Sequence, residues 1–292
     1  MRVRVDGVGL WFDVEGQGLV PEGEGMRQRP TLLLLHGGPG FDHTSFKPYF
    51  SALTDVAQVV YLDHRGQGRS GGEFCAAGAD PAGWTLARWA DDVRGFCDAL
   101  GIVKPVVLGN SFGGFVAQAY AQRHPGHAGG LILSSTAARM DLPRILAAFE
   151  RQGGKAARDA AERFWTDVTA AGLEPYQREC MTLYTTSHPH GFPGSRRAIL
   201  RPEVLEHFSG RAGEMWGMDF RPALPGITTP TLVLAGDQDP ITPWEASAEI
   251  ASLLPAGSHR FVRFPDCGHG VFRDNPAGAM AVIRDFITGL PG

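Results

Sequence analysis

Serine, histidine and aspartate stand in this chain where they could act together on a carbonyl. Gly109-Asn110-Ser111-Phe112-Gly113 has the form GxSxG, between an apolar run ending at Gly109 and a helical stretch from Gly114 to His124. A sharp strand-to-helix turn leaves no room for side chains at its flanks, hence glycine at 109, 113 and 114. Such a turn lifts the Ser111 hydroxyl out as a nucleophile, and the amide of Phe112 then faces an oxyanion forming there. A serine needs a base. His269, in Cys267-Gly-His-Gly270, follows the last expected strand in a loop flanked by glycine, where an imidazole can turn freely. The base needs a carboxylate, and Gly236-Asp237-Gln238-Asp239-Pro240 offers two at a strand end. A second oxyanion donor is expected from His36-Gly37-Gly38-Pro39-Gly40, whose glycines let backbone amides approach a ligand and whose proline stiffens the turn. The amide of Gly38 is the expected donor, with Gly37 its neighbour.

Other reactive residues read more plainly. Cys267 lies two residues before His269, but thiol–imidazole pairs form in space rather than in sequence. His188-Pro189-His190 lacks a third ligand at a recognisable spacing, so a loop is expected there and no metal. Gly66-Gln67-Gly68-Arg69-Ser70-Gly71 matches GxGxxG formally, yet a loop follows where a dinucleotide site needs a helix, and no phosphate-binding GxxxxGK[ST] exists. No cofactor is expected. His36 is read as bracing its own loop, His64 as part of a turn, His124 as a helix end and His127 as a surface loop.

These residues need a scaffold. Thr31–Leu35, Gln58–Leu62, Pro105–Gly109, Leu131–Ser134 and Thr231–Ala235 are apolar runs, the pattern of strands buried on both faces of a parallel sheet. Arg260–Phe264 adds a strand near the C-terminus, and Val3–Gly7 with Leu10–Val14 two short ones at the N-terminus. Gly16–Pro30 reads as a loop. Helices are predicted over Thr85–Leu100, Pro243–Leu254 and Pro276–Thr288, the first from its spacing of Leu86, Trp89, Val93, Phe96 and Leu100. Strand and helix in alternation predict an α/β fold with a mostly parallel sheet and right-handed crossovers. The alternation breaks between 137 and 222, where the chain reads as helical. Residues 1–136 and 223–292 are therefore expected to form the core, and 137–222 an inserted helical cap over the sheet's carboxyl edge, where ligands bind in such folds.

The chain has 292 residues, 43% hydrophobic and 20% charged, with a net charge of −4, which excludes collagen, coiled coil and disorder. No run approaches a membrane span, and no basic tract suggests nucleic acid. Four separated cysteines (75, 97, 180 and 267) and no signal-peptide pattern point to reduced thiols in the cytoplasm.

Together, HGGPG at 36–40, DHRGQGRS at 63–70, GNSFGG at 109–114, GDQDPITP at 236–243 and CGHG at 267–270 resemble the α/β-hydrolase superfamily over essentially the whole chain. The resemblance implies an α/β-hydrolase fold in which Ser111, Asp239 and His269 form a catalytic triad, with Gly38 and Phe112 as the oxyanion hole and Asp237 shaping its turn. HGGPG and the stretch at 63–70 look like the proline iminopeptidase group of serine aminopeptidases, which also holds members acting on esters, lactones and amides. That group carries a WxxWE-type cap pattern; here the cap offers Phe164-Trp165 and scattered acids (Glu162, Glu174, Glu179, Glu203, Glu206, Glu214), and His64 replaces the usual Gln. Asn110 before the serine also resembles the C–C bond hydrolases, and a non-catalytic small-molecule receptor shares the fold. An aromatic wall from Phe164, Trp165, Tyr176, Tyr184, Phe192, Phe208, Trp216 and Phe220 is expected to be mostly cap core. A pocket including Gly37, Pro39, Asn110, Phe164, Trp165 and Trp216 would then take a small-molecule or short-peptide substrate.

Overall fold

In the computed structural model, which describes residues 1–168, 170–188 and 196–291, the four leucines after Thr31 sort by parity. Leu33 and Leu35 enter a core with Val60, Val107 and Leu131 on one face of the sheet. Leu32 and Leu34 enter another with Val59, Val106 and Ile132 on the opposite face. A strand whose side chains alternate between two buried faces reads as unbroken apolar sequence.

The sheet has eight strands in the order β1-β2-β6-β5-β7-β8-β9-β10. They are β1 (Arg2–Val5), β2 (Val8–Glu15), β5 (Thr31–Leu35), β6 (Gln58–Leu62), β7 (Val106–Asn110), β8 (Gly130–Ser134), β9 (Thr231–Gly236) and β10 (His259–Phe264). The pairs β1/β2 and β2/β6 are antiparallel and the rest parallel. The carboxyl ends of β5, β7, β8, β9 and β10 therefore share one edge. Residues 16–30 depart from expectation: they hold an antiparallel hairpin of β3 (Leu19–Glu22) and β4 (Gly25–Gln28). Of its eight strand residues only Val20 is buried, so a backbone ladder holds it and no apolar alternation marks it in the sequence.

Helix α1 (Leu86–Leu100) begins where the Thr85 hydroxyl accepts from the Arg88 amide and stops at left-handed Gly101. Helix α2 (Phe112–Arg123) starts two residues before the expected Gly114, directly on Ser111. Between β8 and β9 the described residues form helices and turns without a strand: α3 (Leu142–Thr166), kinked at Gly154, α4 (Ala170–Glu179) and α5 (Pro202–Ser209). Their apolar faces continue the core that Trp89 and Phe112 share with the sheet. After β9 come α6 (Trp244–Leu253), a short α7 (Val271–Asp274) and α8 (Pro276–Thr288). No described helix is long and apolar enough to cross a membrane.

Candidate active site

Ser111 joins β7 to α2 with φ 55° and ψ −121°, a region that non-glycine residues avoid unless their surroundings impose it. The surroundings are backbone. A Cβ on Gly113 would lie 2.0 Å from the Leu35 carbonyl oxygen, so α2 crosses β5 at a distance that only glycine permits. The Ser111 amide donates to the Ser134 carbonyl at 3.0 Å, and the Thr136 hydroxyl donates to the Ser111 carbonyl at 2.9 Å. The elbow is thus pinned to the end of β8.

Asp239 follows β9 and is buried. Its Oδ1 accepts from the amides of Ile241 and Thr242, each at 2.9 Å. Its Oδ2 accepts from the Thr242 hydroxyl at 2.7 Å and from Nδ1 of His269 at 2.8 Å. A proton on Nδ1 leaves Nε2 as the basic nitrogen. Asp237 lies apart, in a bidentate pair with Arg263 at 2.8 and 2.9 Å. The histidine loop reaches the elbow through β8: the Gly270 amide donates to Oγ of Ser135, next to the Ser134 that receives Ser111.

The loop after β5 touches the serine, since a Cβ on Gly37 would lie 3.2 Å from Ser111 Cβ. Gly38 beside it has φ 134° and Pro39 is buried. His36 braces this loop, donating from Nδ1 to the Gly37 carbonyl at 2.8 Å and accepting the His64 amide at Nε2. Burial lowers the His36 pKa against the pull of nearby Asp63, and burial with the neighbouring His36 lowers that of His64 well below the usual range. Both imidazoles are therefore neutral. His64, directly before the turn at Arg65, is buried against Phe112, with ring centroids 5.5 Å apart. Asn110 is buried at the end of β7, its carboxamide nitrogen beside Gly37.

Of the remaining pocket candidates, Phe164, Trp165 and Trp216 pack mainly on one another. Phe164 stacks on Tyr176 at 4.4 Å, Trp165 donates to the Tyr176 hydroxyl at 3.1 Å, and Trp216 lies edge-on to Trp165. The Tyr176 hydroxyl meets that of Tyr184, whose ring lies edge-on to His269 at 5.1 Å. Among the described residues, Tyr184 is therefore the member of the aromatic wall with a ring contact to the histidine. Phe208 packs on Phe112 and Trp89. Phe192, Pro189 and His190 lie outside the described residues.

None of the carboxylates carried by residues 137–222 is buried. Glu162 pairs with Arg158, Glu179 with Arg178, and Glu214 accepts the first amide of α1, from Leu86. Glu174, Glu203 and Glu206 are exposed. All four cysteines are free, and burial, reinforced by Asp274, pushes the Cys267 thiol up to about 12, too high for a thiolate nucleophile at neutral pH. Among the described residues no group of three or more His, Cys, Asp or Glu is placed to hold a metal ion.

Sequence reading did not single out Thr242, Gln67 or Asp274. Gln67 Oε1 accepts the Gly40 amide at 2.7 Å and so holds the loop after β5 from beneath. Thr242 carried a local signal, a hydroxyl three residues after the acid. Asp274 carried none, because its partners other than the Gly268 amide lie about ninety residues away.

Residues 30–276 match the family model for the α/β hydrolase fold. The chain is 28% identical over 293 residues to a putative carbamate hydrolase RutD of Caulobacter sp. (strain K31), covering 96% of each. It is 28% identical over 288 residues to a proline iminopeptidase of Neisseria gonorrhoeae, covering 89% of each. Its fold superposes on the crystal structure of VinJ with a TM-score of 0.80 at 22% identity, covering 100% of this chain and 98% of the other. With an eight-stranded, mostly parallel sheet and a match across most of its length, this chain belongs to the α/β-hydrolase family of enzymes.

Proposed function

We propose that the protein is a serine hydrolase that cleaves small ester- or amide-type acyl bonds through Ser111, His269 and Asp239. The observation that carries this reading is the Asp239–His269 hydrogen bond at one sheet edge with the strained elbow of Ser111. His269 takes the Ser111 proton as the hydroxyl attacks the carbonyl, and Asp239 steadies the imidazolium that forms. The amides of Gly38 and Phe112 receive the oxyanion, each donor contributing roughly 10²–10³ in rate. His269 then protonates the leaving group and activates the water that releases the acyl-enzyme. Residues 137–222 act in this reading as a cap over a core of 1–136 and 223–292, and the free cysteines suit a reducing cytoplasm.

The substrate end bears no positive charge in this proposal. An aminopeptidase must hold a free ammonium close to the scissile bond, and a desolvated ammonium needs a carboxylate. The cap region has no buried carboxylate, and its undescribed residues include no Asp or Glu. Neutral acyl groups are therefore favoured over an N-terminal proline. Asn110 beside Gly37 supports a second reading, C–C bond hydrolysis, in which its carboxamide would meet a second carbonyl.

A panel of proline arylamide, nitrophenyl esters of graded chain length, a γ-lactone and a vinylogous diketone tests these readings, with a fluorophosphonate label as the check on Ser111. Ester or lactone turnover abolished by Ser111→Ala is expected. Near-normal activity in Ser111→Ala would sink the mechanism, and turnover of proline arylamide above the esters would overturn the neutral-substrate reading.

A further inference from the structure

Three consecutive amides of the histidine loop are tied to three different parts of the chain. The Gly268 amide donates to Oδ2 of Asp274 at 2.8 Å, that of His269 to the Tyr184 carbonyl at 2.8 Å, and that of Gly270 to Oγ of Ser135 at 3.1 Å. The first two lead to one place, the segment Tyr184–Ser187 that follows α4. The Asp274 carboxylate accepts from the Thr185 hydroxyl, the Thr186 amide, and both the amide and hydroxyl of Ser187. A fifth bond from Gly268 makes this carboxylate a clasp between the segment and the histidine loop. The Thr186 hydroxyl closes the other side on the Asp266 carbonyl at 2.6 Å. Backbones meet without intervening side chains: a Cβ on Gly268 would lie 2.6 Å from the Tyr184 carbonyl oxygen. The Tyr184 ring completes the contact, edge-on to the imidazole at an interplanar angle of 71°.

We propose that Tyr184–Ser187, clasped by Asp274, sets the position of the His269 imidazole, which makes Asp274 and Thr185 positioning residues for the reaction. The inference rests on His269 being the general base. Asp239 fixes the ring at Nδ1 but leaves it free to rock about that hydrogen bond. The amide ties and the Tyr184 ring oppose that rocking and hold Nε2 on the line to the nucleophile. A segment distant in the sequence thus governs turnover, beyond any part it plays in shaping the pocket.

The test compares Asp274→Asn, Thr185→Val and Thr185→Ser with Ser111→Ala and His269→Ala, using 4-nitrophenyl acetate turnover and the rate of fluorophosphonate inactivation. Misplacing a catalytic group by about 1 Å can cost on the order of 10²-fold. Asp274→Asn is expected to lower kcat by roughly 10–100-fold and Thr185→Val by roughly 3–10-fold, with KM within about twofold and inactivation slowed in parallel. Thr185→Ser, which keeps the hydroxyl, restores the native rate. A purely structural clasp would lower thermal stability and leave kcat of the folded protein alone. Should Asp274→Asn fail to fold, Thr185→Val against Thr185→Ser decides. Inactive Ser111→Ala and His269→Ala with unchanged kcat in folded Thr185→Val overturns the positioning role and leaves the triad standing. Turnover retained in His269→Ala overturns both.

Discussion

A buried carboxylate that must orient a histidine cannot be left to choose its own rotamer. Asp239 has no freedom of that kind, since both oxygens are engaged: one by two backbone amides, the other by His269 and the Thr242 hydroxyl. The hydroxyl competes with the imidazole for the same oxygen and fixes where that oxygen sits. Hydrogen bonds to charged groups contribute about 1.5–3 kcal/mol, roughly one to two decades when the bond matters in the transition state. Thr242→Val keeps the shape and removes the donor, so kcat/KM for an ester substrate is expected to fall about 10–100-fold, with Thr242→Ser close to native. Steady-state kinetics on the two variants decide it. An unchanged Thr242→Val would mean that the Ile241 and Thr242 amides alone orient the acid.

Elements carry the residues, and one tie between elements is ionic and buried. Asp92 on α1 accepts from Nε and Nη2 of Arg65 at 2.7 and 2.6 Å, with both side chains under a tenth exposed. Arg65 lies in the turn after β6, so the pair locks α1 to the strand beside the loop that braces Gly40. Asp92→Ala would strand a guanidinium in the core, and removing one partner of such a pair costs about 3–5 kcal/mol. Urea unfolding is expected to show that loss, and a change under about 1 kcal/mol would mean that water reaches Arg65. The same distinction between local and closed contacts explains what the sequence disclosed. Strands β5 to β9 were legible because burial on both faces writes itself as unbroken Leu, Val and Ile. Residues 111, 239 and 269, proposed as the triad, could be singled out because each stands in a glycine-framed loop after an expected strand. The hairpin β3–β4 was not legible, being mostly exposed and held by its backbone ladder and the Arg27–Glu22 ion pair. The clasp at Asp274 was not, because hydroxyls at 185 and 187 look like any loop until the chain closes on them.

At the scale of the molecule, the helices between β8 and β9 share a core with the sheet. Phe208 of α5 is fully buried and packs edge-on to Phe112 at 5.2 Å and to Trp89 at 5.5 Å. Phe112 opens α2 and supplies a proposed oxyanion amide, while Trp89 belongs to α1. One side chain of the proposed cap thus supports both the hydrophobic junction and the elbow that presents the serine. Removing a buried Phe side chain typically costs 3–5 kcal/mol, through lost transfer energy and the cavity left behind. Phe208→Ala is expected to destabilise the protein by about that amount and, by loosening Phe112, to lower kcat more than it raises KM. A core continuous across 1–136, 137–222 and 223–292 also demands that the whole chain unfold together. Far-UV and near-UV circular dichroism should then trace one coincident transition in denaturant, in the native protein and in the variant. Two separated transitions would show instead that the helical segment melts by itself, with Phe208 a contact between independent units.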